Sequence, residues 1–266
     1  MPVCEPRGGG LGRLWASPAG FVGPIVLITT IGLGVDHYTD VRQQVLLGLG
    51  NALLLGWLLV WFTPLQRAQT LCVVLIATCF EVIGSIIWGL YTYRHGNLPL
   101  FVPSGHGIVY LTGLRISQSR FAREHPAALV RGTVGFAIGW AAIGISGALG
   151  RVDAAGAFGV LVVSGAILWG RAPTVYAGVF LFVAYLEIYG TAVGTWQWAE
   201  QVPGLGVPNG NPPSGAASGY VVFDLFAVAL APRVLGLLAR LRGHPIADPP
   251  LSGQFSGGAP GVLPEK

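Results

Sequence analysis

Residues 80–110 read FEVIGSIIWGLYTYRHGNLPLFVPSGHGIVY, and residues 186–220 read LEIYGTAVGTWQWAEQVPGLGVPNGNPPSGAASGY. The two stretches share a plan. Each sets a carboxylate in an apolar run (Glu81, Glu187) and a glycine three residues on (Gly84, Gly190). A second glycine follows (Gly89, Gly194), then an aromatic-x-aromatic pair, Tyr91 with Tyr93 and Trp196 with Trp198. Each stretch then crosses a proline-containing loop and restarts at Pro-Ser-Gly, Pro103 to Gly105 and Pro213 to Gly215, with a tyrosine seven residues after the proline (Tyr110, Tyr220). A plan written twice points to a duplicated unit.

Working outward, the chain is 53% hydrophobic and only 10% charged, and its apolar runs approach the roughly 20 residues that cross a bilayer. The expected fold class is therefore all-α: a polytopic membrane protein of about eight transmembrane helices. The spans are placed at residues 16–35, 44–63, 70–90, 98–117, 127–149, 154–170, 173–195 and 214–238. With that count, 12 of the 15 basic residues fall on one side, and only Arg42, Arg94 and Arg151 fall on the other. The positive-inside rule then puts both termini in the cytoplasm of a multi-pass cell-membrane protein. The net charge of +4 follows from that topology and does not argue for a nucleic-acid partner. Arg7 and Arg13 precede a first span that reads as retained, so no cleaved signal peptide is expected.

The organisation follows. Residues 1–12 and 243–266 are rich in proline and glycine and weakly patterned. They read as cytoplasmic tails too poor in apolar surface to fold alone, the second of them disordered. Residues 13–242 form the membrane domain, with repeat one at about 16–120 and repeat two at about 127–240. Four spans in each unit give both copies the same orientation, hence parallel repeats about an axis along the membrane normal. Cys72 and Cys79 lie seven apart on one helix, which is stacking and not a metal spacing, so neither a disulfide nor a bound metal or other cofactor is expected.

At about 1.5 Å of rise per residue, Glu81 lies roughly 17 Å and Glu187 roughly 21 Å from the cytoplasmic starts of their helices, and Asp224 roughly 15 Å from the outer side. Three acids thus converge on the middle and outer half of the membrane. An ionised carboxylate there costs several kcal/mol unless it is paired or faces water. The glycines after each glutamate read as a small-residue face for close helix approach. The aromatic pairs fit two readings, an interfacial belt or a cation-stabilising site. Pro-Ser-Gly reads as a helix breaker followed by an N-cap. His106 has no counterpart in the second copy, where Ala216 stands, and so reads as an asymmetric addition near the outer mouth.

Two resemblances bear on function. PSGH, Pro103 to His106, resembles a signature of the type 2 phosphatidic acid phosphatases, but the match covers four residues, and Ser119, Arg120 and His125 do not supply the rest at the spacing that family uses. A wider resemblance rests on Glu81-x2-Gly84-x4-Gly89-x-Tyr91-x-Tyr93 followed by Val102-Pro103, and on Gly194-x-Trp196-x-Trp198 followed by Gly206-Val-Pro208-x2-Asn211. This pattern is similar to the integral membrane carotenoid biosynthesis proteins that include carotenoid and bacterioruberin hydratases. Here Gly89-Leu90 stands where that family has Phe-Gly, and Glu187 replaces its aspartate-rich segment.

The resemblance implies an enzyme that acts on a carotenoid or other isoprenoid-like lipid by acid catalysis at an alkene, as a hydratase, cyclase or isomerase. Glu81 or Glu187 would give the proton, and Asp224 or His106 would activate water. Tyr91, Tyr93, Trp196 and Trp198 would stabilise the cation, and Asn211 would join them in binding substrate. A proton-coupled transporter of a small molecule or lipid would use the same intramembrane acids and stays open as an alternative. The lipid phosphate phosphatase stays as a minor one.

Overall fold

The structure, a computed structural model, describes residue 15 and residues 17–241. The two expected tails, residues 1–12 and 243–266, lie outside the described residues. The described chain is mostly helical, and its helices begin where the sequence supplies caps. Helix α1 (Pro18–Asp36) starts behind Ser17, whose hydroxyl accepts from Gly20 N. Helices α2 (Val41–Leu59) and α3 (Pro64–Glu81) each start with a reciprocal capping box, Asp40 with Gln43 and Thr63 with Gln66. Helix α4 is Phe101–Ser117, followed by a single short helix, α5 (Arg120–Glu124), behind Ser119. Helices α6 (Pro126–Ile145) and α8 (Pro173–Ala192) open on proline, whose missing N–H costs nothing in a first turn. Helix α7 (Ala154–Trp169) is capped by Asp153, and α9 (Ala217–Leu241) closes the described chain.

Eight longer helices among the described residues overlap the eight expected runs in order, with α2 and α3 starting three and six residues earlier than expected, at their capping boxes. Five segments are long and apolar enough to cross a membrane: Pro18–Asp36, Pro64–Ile87, Pro126–Ile145, Pro173–Ala192 and Ala217–Leu241. Large apolar side chains stand on the outside of the bundle, among them Leu27, Leu53, Leu75, Leu161 and Trp169. That surface suits hydrocarbon and not water, and the molecule has the build of a multi-pass membrane protein.

Two features depart from the expected all-α reading. Strands β1 (Tyr91–Tyr93) and β2 (Trp196–Trp198) pair antiparallel, Tyr91 opposite Trp198, Thr92 opposite Gln197 and Tyr93 opposite Trp196. Alternation over three residues is too short a signal to read as a strand, and the partner lies 105 residues away in sequence. The second departure is at Pro-Ser-Gly. Helix α4 begins at Phe101, so Ser104 is not its cap. The Ser104 hydroxyl donates to Phe101 O and accepts from Asn51 Nδ2. In the other copy α9 starts at Ala217, past the motif, and Ser214 N donates to the Asp153 carboxylate.

The packing has a simple pattern. Helix α4 lies against α8, and α9 lies against α3, as the two most extensive helix contacts. Helices α2 and α7 support α4 and α9 from outside. Close approach of α4 and α8 depends on glycine. A methyl group at Gly113 would collide with Val179, and one at Gly178 would sit 2.8 Å from Gly113 O. The outer layer is uneven. Helices α6 and α7 pack extensively on each other, whereas α1 and α2 scarcely touch.

Candidate functional site

The two sequence motifs adopt one local design. Each glutamate sits near the end of its helix, on α3 and α8. The chain turns at Gly89 (φ +70) and Gly194 (φ +75), left-handed conformations that glycine enters without a Cβ penalty, and then runs into β1 or β2. The strand's two aromatic side chains fold back onto the glutamate that precedes them. The Tyr91 and Tyr93 hydroxyls donate to Glu81 Oε2 at 2.9 and 2.8 Å. The Trp196 and Trp198 Nε1–H groups donate to Glu187 Oε2, each at 2.9 Å. The aromatic pairs are therefore clamps on the carboxylates, which neither the belt nor the cation-site reading anticipated. Burial, reinforced by the Glu81 charge, pushes both phenols above their ordinary value, so they stay protonated donors.

The first glycine of each motif makes the clamp possible. Gly84 and Gly190 do not face a neighbouring helix, as a small-residue packing stripe would. A Cβ at Gly84 would lie 3.0 Å from Tyr91 Oη, and one at Gly190 would collide with the Trp196 ring. Each gives an aromatic side chain its path to the acid three residues upstream. The copies differ by one residue between their glycines, five positions from Gly84 to Gly89 and four from Gly190 to Gly194. The extra residue is absorbed as a π-helical turn, Val82–Ile87, which continues α3 and keeps the glutamate, the glycine and the aromatics in register.

Beyond the clamps the two acids differ. Glu81 receives a third partner, His106 Nε2, at 2.9 Å from Oε1. His106 is a buried helical residue of α4, 3% exposed, and not a solvated loop histidine. Its ring lies 4.6 Å from that of Tyr220 and 5.9 Å from that of Phe223. Its Nδ1 has no hydrogen-bond partner among the described residues. An ionised Glu81 can only accept, so Nε2 carries a proton, and in the neutral ring Nδ1 then presents a lone pair. Glu187 has no such neighbour. Trp N–H groups cannot accept, and among the described residues no hydrogen bond reaches Glu187 Oε1. No arginine or lysine pairs with either carboxylate among the described residues.

Glu81, Glu187, Tyr91, Tyr93, Trp196, Trp198 and His106 all line one cavity of about 1260 Å³. Its other walls are overwhelmingly apolar, with Tyr220 and Phe223 beside His106 and the ring of Phe80 5.0 Å from that of Phe223. The remaining two sequence candidates lie elsewhere. Asn211 does not line the cavity. Its Oδ1 accepts from Trp198 N and so fixes the β2 backbone. Asp224 is buried in α9 off the cavity, and its Oδ2 has no hydrogen-bond partner among the described residues. Among those residues no group of His, Cys, Asp and Glu side chains is placed to hold a metal. Arg120 and His125 lie past the C-terminal end of α4, whereas PSGH opens that helix, so the phosphatase-like residues do not meet.

Sequence reasoning missed Asp153. Its carboxylate accepts from Gly156 N (3.0 Å), Gly210 N (2.9 Å) and Ser214 N (2.7 Å). It thereby ties the loop after β2 to the start of α7. The available signal was its position as an N-cap before an apolar run. A second unforeseen network joins the ends of α1 and α2 to the loop after β1. Arg94 donates to the carbonyls of Asp36 and Thr39, Gln44 Nε2 donates to Asp36 Oδ1 at 2.9 Å, and Asn97 Nδ2 donates to Gln44 Oε1 at 3.0 Å.

Comparison with protein-family models, with curated proteins and with solved structures gives no match.

Proposed function

We propose that this chain is an integral membrane enzyme that protonates an alkene of an isoprenoid-like lipid and adds water to the resulting tertiary cation. In this reading all eight longer helices span the membrane as two parallel four-helix repeats, with both termini cytoplasmic. The α4–α8 and α9–α3 contacts and the antiparallel β1–β2 pair, centred on Thr92 and Gln197, support a pseudo-twofold relation between the halves.

The observation that carries the chemical reading is the unequal hydrogen bonding of two matched acids. Glu187 accepts two indole N–H groups on Oε2 and, among the described residues, nothing on Oε1. A proton on Glu187 therefore resides on Oε1, free to leave for a substrate carbon. Glu81, with three donors converging on it, has the surroundings of an anion and orients His106. Glu187 acts as the acid: its O–H breaks, the C–H bond forms and the alkene becomes a tertiary cation. A water held at His106 Nδ1 attacks the cation and gives its proton to that nitrogen, which Glu81 stabilises as imidazolium. Return of the proton from His106 to Glu187 resets the site. Aromatic faces around the cavity stabilise the cation. The sum is addition of water across a double bond, with no further reagent.

Membranes expressing wild type, Glu187→Gln and Glu81→Gln, supplied with a linear isoprenoid mixture, test the proposal by mass spectrometry of extracted lipids. A product heavier by one water in wild type, abolished in both variants at equal protein level, is the expected result. Identical lipid profiles in all three would rule out acid catalysis at this site. A proton-coupled transporter gains no support from the cavity, whose walls beyond the carboxylates and His106 offer few polar groups for a solute.

A further inference from the structure

The cavity does not end at the carboxylates. On one side it continues between α1 and α2, walled by Ile25, Ile28, Gly32 and Val35 of α1 and by Leu46, Leu47, Gly50 and Leu54 of α2. On α1 these positions recur every three or four residues, and on α2 Leu47, Gly50 and Leu54 do so with Leu46 beside them, so each helix lines the groove with one face. In a helical hairpin such faces normally pack on each other. Here they stand apart, since α1 and α2 scarcely touch while α6 and α7 pack closely. The floor comes from Val109 of α4 and from Phe182 and Leu186 of α8. From Gln43 to Leu54 the groove runs about 17 Å at the helical rise per residue. Glu81 and His106 line the same cavity.

Two glycines keep it open. A Cβ added at Gly32 or at Gly50 meets nothing within 4 Å, and both residues line the groove. Neither has the packing reason that Gly48 has, where a Cβ would meet Leu100. The polar groups of α1 and α2 along this wall are already used: Thr29 Oγ1 donates to Ile25 O, Gln43 closes the capping box with Asp40, and Asn51 Nδ2 donates to Phe101 O and Ser104 Oγ. Just outside, Leu27, Ile31, Leu49 and Leu53 are exposed on the same two helices, as side chains that meet bilayer hydrocarbon.

We infer that the groove between α1 and α2 admits the linear hydrocarbon chain of a membrane lipid sideways from the bilayer, reacting end inward, and that Gly32 and Gly50 set the width it accepts. The inference rests on the proposed lipid chemistry for what happens at the inner end, but seating of the chain stands or falls separately. An aliphatic chain replaces bilayer neighbours with groove walls of the same polarity. Selection is therefore by the shape of the chain.

The test uses the full chain in lipid nanodiscs containing a photoreactive diazirine on a linear polyprenyl or fatty chain, with labelled residues located by mass spectrometry. Wild type labels at the buried Val109 and Leu186 as well as at the exposed Leu53, and excess unlabelled linear lipid suppresses only the first two. Gly32→Leu with Gly50→Leu lowers labelling at Val109 and Leu186 at least fivefold and leaves Leu53 unchanged, which serves as the internal control for a folded, lipid-embedded protein. Glu187→Gln labels like wild type, so loss of chemistry and loss of chain seating are read apart. Absence of inner labelling in wild type, or inner labelling untouched by the double substitution, overturns the inference. Suppression by a bulky ring lipid as readily as by a linear one does so too.

Discussion

Gly190→Ala adds a single methyl group, and its effect follows from what that methyl meets. Three atoms of the Trp196 six-membered ring would lie closer to it than any normal contact. The ring cannot step aside freely, because its Nε1–H is bound to Glu187 Oε2 and its backbone is paired with Tyr93 in the β1–β2 ribbon. Overpacking of this kind costs about 1–3 kcal/mol. Withdrawing one of two donors from a buried carboxyl group costs about 1–3 kcal/mol more. Alanine returns about 1 kcal/mol of helix propensity, which leaves a net loss of roughly 1–5 kcal/mol. Thermal unfolding of the purified protein in detergent, followed by near-ultraviolet circular dichroism, measures the loss at roughly 2–4 °C per kcal/mol. The decisive arm is the same substitution in a Trp196→Phe background. Phenylalanine lacks the atoms that collide, so there Gly190→Ala becomes neutral or slightly stabilising. Equal destabilisation in both backgrounds would refute the ring-seat explanation. So would a Gly190→Ala protein as stable as Gly132→Ala, where a Cβ meets nothing within 4 Å.

Four further outcomes follow from the same geometry. Deleting Ile86 removes the residue that the π-turn accommodates and gives the first motif the spacing of the second. It should leave the melting temperature within a few degrees of wild type, whereas deleting Thr191 from α8, which has no π-turn to give up, should prevent folding as judged by size-exclusion chromatography. Asp153→Ala leaves three buried backbone N–H groups without their acceptor; a loss of several kcal/mol is expected, with new protease cleavage between residues 199 and 213. Gly113→Leu pushes α4 off α8 where Gly113 meets Val179 and should abolish the folded peak in size-exclusion chromatography, while Gly132→Leu, where a Cβ meets nothing within 4 Å, does not. Tyr93→Phe should destabilise by about 1–3 kcal/mol and, on the proposed mechanism, lower turnover less than His106→Gln does, since Tyr91 still donates to Glu81.

Much of the fold was legible in one dimension. Hydropathy and capping residues set the helices, because a helix in hydrocarbon satisfies its own backbone and needs only a long apolar run with a start signal. Thr63 with Gln66 and Asp40 with Gln43 are such signals, and spans placed by hydropathy alone begin six and three residues after the helices those pairs start. The duplicated motif was legible too, but its meaning was not. Gly84 and Gly190 read as packing surface because small residues usually are, and only the returning ring of Tyr91 or Trp196 shows what the space is for. Ser104 read as a cap because serine after proline usually is one, whereas a hydrogen bond from Asn51 on another helix recruits it elsewhere. His106 read as an asymmetric addition near the outer mouth, yet it is buried, with its ring against that of Tyr220, 114 residues away in the sequence.

The sequence by itself determined that the chain is helical and apolar on its outside, where the helices lie, and that two acids occupy matched places in it. These are local properties, carried by runs and spacings within about twenty residues. Tertiary structure alone decided which atoms the acids meet. A carboxylate's partners come from strands and helices brought together across the bundle, and no periodicity encodes whether two tyrosines and a histidine, or two tryptophans and an unpartnered oxygen, will surround it. That difference separates one glutamate from the other, and it arises because a buried polar group takes its character from the donors within about 3 Å and not from its neighbours in the chain.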